Sequence, residues 1–361
     1  MTDTGMNVEL SARRARAQGL VGVALLLVVL VLGLLWAKWL PYAQKAHLLS
    51  QSRAWSGSAI FSSAGHAGST PTVHGAWSFW TAYFTAVWKA AVVALVVAAT
   101  LESLVPRRWL LKALARRTWM GQGAAAGVLA LPSMMCTCCT APVAVGLRRR
   151  GAPLGATIAY WLANPLLNPA VIVFLALTLP ARYAAVRVLI GLAVVAAGAA
   201  VGNRLRSGTE PTATRLAATA EASDDDVRWS RLPLRFVMAL GRYLLILVPE
   251  YAVVVLLTGA LSGWLSDFAG LDNAAGPISL LIVGVVGALL VVPTGGEIPV
   301  IAGLLAAGAS TGAAGVLLVT LPAISLPSIV MVARTLSWRP VAALSGLVVV
   351  GGLVAGALVA L

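Results

Sequence analysis

Apolar runs long enough to cross a hydrocarbon core recur from Leu20 to the end of the chain. A segment in that environment must satisfy its own backbone hydrogen bonds, so the runs are confined to membrane helices. The first covers Leu20 to about Leu40, and others cover 81–105, 153–179, 184–203, 238–262 and 341–359. Hydrophobic residues make up 60% of the chain and charged residues 11%, a balance that excludes a soluble domain. A net charge of +14 would suggest nucleic acid in a soluble protein. Here Arg and Lys sit mostly between apolar runs, where positive charge orients a membrane protein, so no nucleic-acid partner is expected. The chain reads as an all-α polytopic membrane protein, with the lipid bilayer as a partner.

The first 19 residues are polar, and Arg13, Arg14 and Arg16 precede the first apolar run. That run ends in Trp36-Ala37-Lys38-Trp39, which reads as an interfacial anchor rather than a cleavage site. An uncleaved extra N-terminal transmembrane helix with a cytoplasmic amino terminus is expected. Residues 41–80 are rich in Ser, Gly and Ala and carry His47, His66 and His74. The irregular spacing, with no Cys or carboxylate among them, points to a solvated outer connector rather than a metal site.

From Trp80 onward the sequence repeats. Pro142, Gly151, Gly155 and Pro165 recur as Pro299, Gly308, Gly312 and Pro322, each pair 157 positions apart. At the same offset the apolar run 81–105 falls on 238–262, and 184–202 falls on 341–359. Residues 1–80 therefore form the N-terminal helix and its outer loop, 81–203 a first membrane repeat, 204–237 a polar cytoplasmic linker with the acidic run Asp224-Asp225-Asp226, and 238–361 a second repeat.

Charge decides how the repeats are related. Arg107, Arg108, Lys112, Arg116 and Arg117 precede segment 119–147, and Arg148, Arg149 and Arg150 follow it. One crossing would place a basic cluster outside, so the segment is expected to enter from the cytoplasm and return as a broken, re-entrant hairpin. Each repeat then has three full spans plus a hairpin, and the odd number inverts the second copy. Its counterpart of the basic approach, 263–278, lacks Lys and Arg and carries Asp267 and Asp272. Arg182 and Arg187 are exceptions to the charge rule.

Inverted repeats with interrupted helices mark secondary transporters, whose site lies where the broken elements meet near mid-membrane. The first tip, Met134 to Pro142, holds all three cysteines, Cys136, Cys138 and Cys139, and is expected to face Pro293-Thr294-Gly295-Gly296-Glu297-Ile298-Pro299. Thiolates and thioethers favour soft partners, so the cysteines with Met135 could bind one soft metal or metalloid atom, as solute rather than as resident metal. Cys138 and Cys139 open the second half-helix and gain its amino-terminal dipole. Glu297 is costly at this depth and is the candidate for proton coupling or solute contact. Asn164 and Asn168 each precede a proline and could orient the site, and Ser325 is the second-half equivalent of Asn168. Lys89 and Glu250 lie on equivalent spans and are expected to form a structural ion pair.

The stretch Met134-Met135-Cys136-Thr137-Cys138-Cys139-Thr140-Ala141-Pro142, followed by Gly151-Ala152-Pro153-Leu154-Gly155 and Asn164-Pro165, resembles the bacterial predicted-permease family that includes the ArsP organoarsenical exporters. Pro299, Gly308 to Gly312 and Leu321-Pro322-Ala323-Ile324-Ser325-Leu326 are similar to that family's second motif. The resemblance implies an inner-membrane permease and, for the ArsP branch, efflux of trivalent methylated or aromatic arsenicals through membrane cysteines. The family pattern reads Cys-Ser-Cys followed by Gly, whereas here Cys136-Thr137-Cys138 is followed by Cys139.

The leading function is thus export of a small soft solute by a non-enzymatic permease without cofactors, with a homodimer as the candidate assembly. No Walker motif is present, so an ion gradient or a partner protein would supply energy. The alternative is a membrane thiol/disulfide oxidoreductase or a sulfur or Cu(I) relay through the same cysteines. A channel or scaffold would leave a buried cysteine cluster without a purpose.

Overall fold

The first helix, α1 (Thr2–Leu34), continues through a π-helical stretch, Leu35–Trp39, into α2 (Leu40–Ser52). The outer connector expected from residue 41 therefore begins only beyond Ser52, where Arg53 turns left-handed at φ 52°. A computed structural model describes residues 2–55, 60, 70–116, 118–205, 232–267 and 276–361. His66, Asp272 and the acidic run Asp224–Asp226 lie outside the described residues.

The first repeat opens with α3 (Val73–Ser103), whose Thr72 cap accepts a hydrogen bond from the Gly75 amide. Next comes α4 (Arg107–Leu114), which buries Leu110, Leu111 and Leu114 while carrying three of the expected basic residues. The hairpin follows as α5 (Trp119–Ala130), a 3-10 turn over Leu131–Ser133, and α6 (Thr137–Arg149). Its arms have 12 and 13 residues, about 18–20 Å at 1.5 Å rise, which falls short of a hydrocarbon core of about 30 Å. The repeat closes with α7 (Leu154–Leu166), α8 (Pro169–Thr178) and α9 (Ala181–Arg204).

The second half runs α10 (Leu232–Asp267), α11 (Pro277–Leu289), α12 (Glu297–Ala306), α13 (Thr311–Ala323), α14 (Leu326–Leu336) and α15 (Trp338–Ala360), with no counterpart of α4 among the described residues. The starts of α7, α8 and α9 lie 157 positions before those of α13, α14 and α15, the offset seen in the sequence. An inverted relation between the halves is compatible with this succession. Among the described residues six segments, one of them Leu154–Thr178, are long and apolar enough to cross a membrane, and the pair α13 and α14, bent by 48°, is either a broken seventh span or a re-entrant loop.

The span expected over 153–179 is one candidate crossing, Leu154–Thr178, built from two successive helices. Pro169 has no N–H to give the carbonyl of Pro165, and the Asn168 side chain instead accepts from the Ala170 and Val171 amides to start α8 afresh. Small residues let the helices on either side approach closely. A Cβ at Gly155 would lie 2.6 Å from the Ala199 carbonyl oxygen, and one at Gly356 would lie 2.7 Å from that of Gly312. These are the same contact in the two repeats, since 155 corresponds to 312 and 199 to 356. Across the halves, α3 packs on α10, α9 on α15, and α6 on α14. This last pairing positions the cysteines.

Candidate thiol site at the first hairpin

The turn between α5 and α6 is held by side chains of its own repeat. Met134 takes the left-handed conformation at φ 48°, which redirects the chain between the two arms. The amide of Met135 then donates to Asn164 Oδ1 at 2.8 Å. Asn164 Nδ2 donates to Ser133 Oγ, and that hydroxyl donates to the Ala130 carbonyl at 2.8 Å. Asn164, 1% exposed, thus satisfies a backbone that has left the helix in a place without solvent. Met135 enters this network through its backbone.

Cys136 is the N-cap of α6, in extended conformation, and its carbonyl accepts the first helical bond from the Thr140 amide at 3.0 Å. N-cap and third-residue side chains adjoin at a helix start. Accordingly, Cys136 Sγ lies 3.2 Å from Cys139 Sγ, and both thiols are free and buried. Cys138 directs its sulfur elsewhere, 3.1 Å from Ser325 Oγ and 3.7 Å from the Tyr83 hydroxyl, which donates to it. The three sulfurs therefore serve as a pair and a separate thiol. No group of three His, Cys, Asp or Glu side chains suited to a metal ion occurs among the described residues. A cavity of about 40 Å³ borders Cys138 and Cys139, walled by apolar groups including Ala94, Leu247 and Met331. Its size suits a methyl-sized group or a single water.

Each tip seats on the broken span of the opposite repeat. Thr137 Oγ1 donates to Ser328 Oγ at 3.1 Å, and Ser325 and Ser328 form a capping box that starts α14. At the other tip, Glu297 opens α12, and its Oε1 lies 3.3 Å from Arg187 Nη2. Arg187 also donates to the carbonyls of Leu166 at 2.7 Å, Pro165 at 2.8 Å, and Leu318. Prolines explain two of these acceptors. Pro169 and Pro322 lie four residues after Pro165 and Leu318 and have no N–H to offer their carbonyls. Arg187, read from the sequence as an exception to the charge rule, is thus the cation that joins both broken spans to the second tip. Its signal was an arginine within an apolar run. Two buried polar atoms here lack a hydrogen-bond partner, Glu297 Oε2 and Asn168 Nδ2.

The two tips, expected to face each other, are joined by no direct hydrogen bond among the described residues. The N-terminal helix links them instead. Trp39 Nε1 donates to the Pro132 carbonyl at 2.8 Å, while neighbouring Lys38 Nζ donates to Thr294 Oγ1 at 3.1 Å. The segment expected as an interfacial anchor therefore turns two of its residues inward, at the π-helical stretch where one residue per turn is out of α-helical phase. Trp36 of the same segment is 45% exposed.

The expected Lys89–Glu250 ion pair is not formed. Glu250 Oε1 lies 3.1 Å from Arg334 Nε, and Lys89 Nζ sits over the rings of Trp36 and Trp88. Counting depth along two spans gives height but not rotation, so it could not tell that the side chains face different neighbours.

Residues 72–361 match a family described as predicted permease, ArsP_1. The chain is also 34% identical over 340 residues to UPF0718 protein YraQ of Escherichia coli strain K12, covering 93% of this chain and 94% of the relative. No solved structure matches.

Proposed function

The chain belongs to the predicted-permease family, and on that footing we propose a secondary permease that exports a soft, thiol-reactive solute across the bacterial inner membrane. Trivalent organoarsenicals are the leading solute class. The observation that carries this reading is the Cys136–Cys139 sulfur pair, 3.2 Å apart at the start of α6. A helix amino terminus favours thiolate character, and two adjacent sulfurs can close on one soft atom. The apolar cavity beside Cys139 would take a small organic substituent on that atom.

Met135, Asn164 and Ser325 hold the tip in register for this capture, while Asn168 Nδ2 and Glu297 Oε2 offer buried polar atoms to solute or proton. Glu297 is the coupling candidate, because an intramembrane carboxylate engaged through one oxygen can exchange a proton when its cation moves. Rocking of the repeats would break the seat of each tip on the opposite broken span and alternate access. The positive-inside tendency supports a cytoplasmic amino terminus.

Equilibrium binding of a trivalent methylarsenical to the purified chain tests the site. Binding at one equivalent, lost in Cys136→Ser and in Cys139→Ser but kept in Cys138→Ser, supports the pair as ligands. Equal binding by all three variants removes it.

A second reading rests on the same pair. Cys136 and Cys139 have the C-x-x-C spacing at a helix start that suits reversible disulfide exchange, so a thiol relay is the alternative. A mixed disulfide with another protein, trapped in Cys139→Ser, would favour that relay over export.

A further inference from the structure

We propose that the chain holds a second site, for a small organic anion, between the N-terminal helix and the second hairpin tip. A cavity of about 430 Å³ lies there, lined by Lys38, Lys45, Lys89, Tyr42, Trp55 and Thr294 among others. No Asp or Glu lines it. The volume falls within the range of about 300–1,000 Å³ common for small-molecule sites.

The three lysines lie on segments Gly19–Ser52 and Val73–Ser103, both long and apolar enough to cross a membrane. A cation on a membrane-spanning segment is tolerated when it is paired or faces an aqueous cavity. Internal pairing is exhausted among the described carboxylates. Glu102 engages Arg149 and Arg242, Glu250 engages Arg334, and Glu297 engages Arg187. The lysines are held instead by aromatic faces. Lys45 Nζ lies 3.4 Å from the Trp55 ring centroid, Lys38 Nζ 4.9 Å from that of Tyr42, and Lys89 Nζ 5.5 Å from that of Trp36. Such faces orient an ammonium, but they bring no negative charge.

Lys38 is the sharpest case. It is 5% exposed, and its polar partners are the hydroxyls of Tyr42 at 2.6 Å and Thr294 at 3.1 Å. The Cys136 and Cys139 thiols also act on it electrostatically, but while they are protonated the ammonium has no full counter-charge, and the cavity is where one can enter. The walls of Trp55 and Tyr42 select an organic body, aromatic or similarly flat. Lysines act as point charges rather than forks, so carboxylate and sulfonate groups both qualify. Because Trp39, next to Lys38, bonds the first tip, occupancy of this cavity would be felt at both hairpins. The site adds to the thiol site and stands whichever solute the thiols take.

The test is calorimetric titration of the full chain in lipid nanodiscs with benzenesulfonate and with its neutral analogue benzenesulfonamide. Saturable sulfonate binding is expected, about tenfold tighter than the sulfonamide, a difference of ~1.4 kcal/mol. Lys45→Gln and Lys89→Gln, at half-buried positions, should each weaken it about fivefold or more while thermal unfolding stays near that of the native chain. Lys38→Gln should abolish it, with Lys38→Arg restoring part. A variant with all three cysteines changed to serine should bind as well as the native chain. Absence of binding, equal affinity for the two probes, or affinity unchanged by the lysine substitutions overturns the proposal. So does loss of binding in the cysteine-free variant, which would place the anion at the thiols.

Discussion

Arg187 and Glu297, 110 positions apart, form an ion pair 3.3 Å long in which both side chains are all but inaccessible. The pair ties the last helix of one repeat to the hairpin tip of the other. Arg187 further spans three carbonyls, two of them left without an amide by proline, so its charge is satisfied by the breaks in the helices themselves. Leu344 occupies the equivalent place in the second repeat, so the bridge is made from one side only.

Arg187→Leu should therefore leave a buried carboxylate and three carbonyls uncompensated and cost about 3–5 kcal/mol. Thermal unfolding in detergent measures this. Adding Glu297→Gln should return ~1 kcal/mol or more, because it removes the orphaned charge but not the orphaned carbonyls. No recovery in the double variant would show that the pair itself contributes little.

Oxidation should join Cys136 to Cys139. Their sulfurs lie 3.2 Å apart, and a small rotation closes a bond of about 2.05 Å. Mild oxidant should block two thiols per chain and leave Cys138 open to a maleimide under denaturing conditions, as read by mass spectrometry. A bond involving Cys138 would contradict the assignment of sulfurs.

Asn164→Ala should leave the Met135 amide and the Ser133 hydroxyl without their partner and cost about 1–3 kcal/mol. If the turn orients the thiols, soft-solute affinity should fall in the same variant at temperatures where it remains folded. Asn168→Ala removes a helix cap and should cost about 1 kcal/mol with a smaller effect on affinity.

Glu102 on α3 gathers Arg149 from α6 and Arg242 and Tyr243 from α10. This cluster clasps the two repeats at a partly exposed position. Glu102→Ala should cost only ~1 kcal/mol in stability, since Arg242 is 45% exposed and the pair is screened. A stronger effect on transport rate than on solute affinity would mark the clasp as part of the moving interface.

Much of the helical layout could be read from the chain because apolar runs and the 157-residue offset mark where helices lie. The expected breaks fall between Ala130 and Thr137 and between Leu289 and Glu297. What escaped were relations that depend on helix rotation. Lys38 sits inside a sequence with every mark of an interfacial anchor, yet it lies buried within a π-helical stretch. Arg187 looked like a topological exception because its acceptors are backbone carbonyls, which carry no side-chain signature. The three cysteines looked like one cluster; the helix start at Thr137 divides them by facing Cys136 to Cys139 and Cys138 to Ser325.

The most direct test of the central claim is uptake of a trivalent methylarsenical into everted membrane vesicles carrying the native chain, Cys136→Ser, Cys139→Ser or Cys138→Ser. The account predicts accumulation with the native chain above empty vesicles, its loss in the first two variants with the protein still in the membrane, and substantial retention in the third. Native vesicles that accumulate nothing beyond the empty control, or accumulation that survives removal of the Cys136–Cys139 pair, would contradict it.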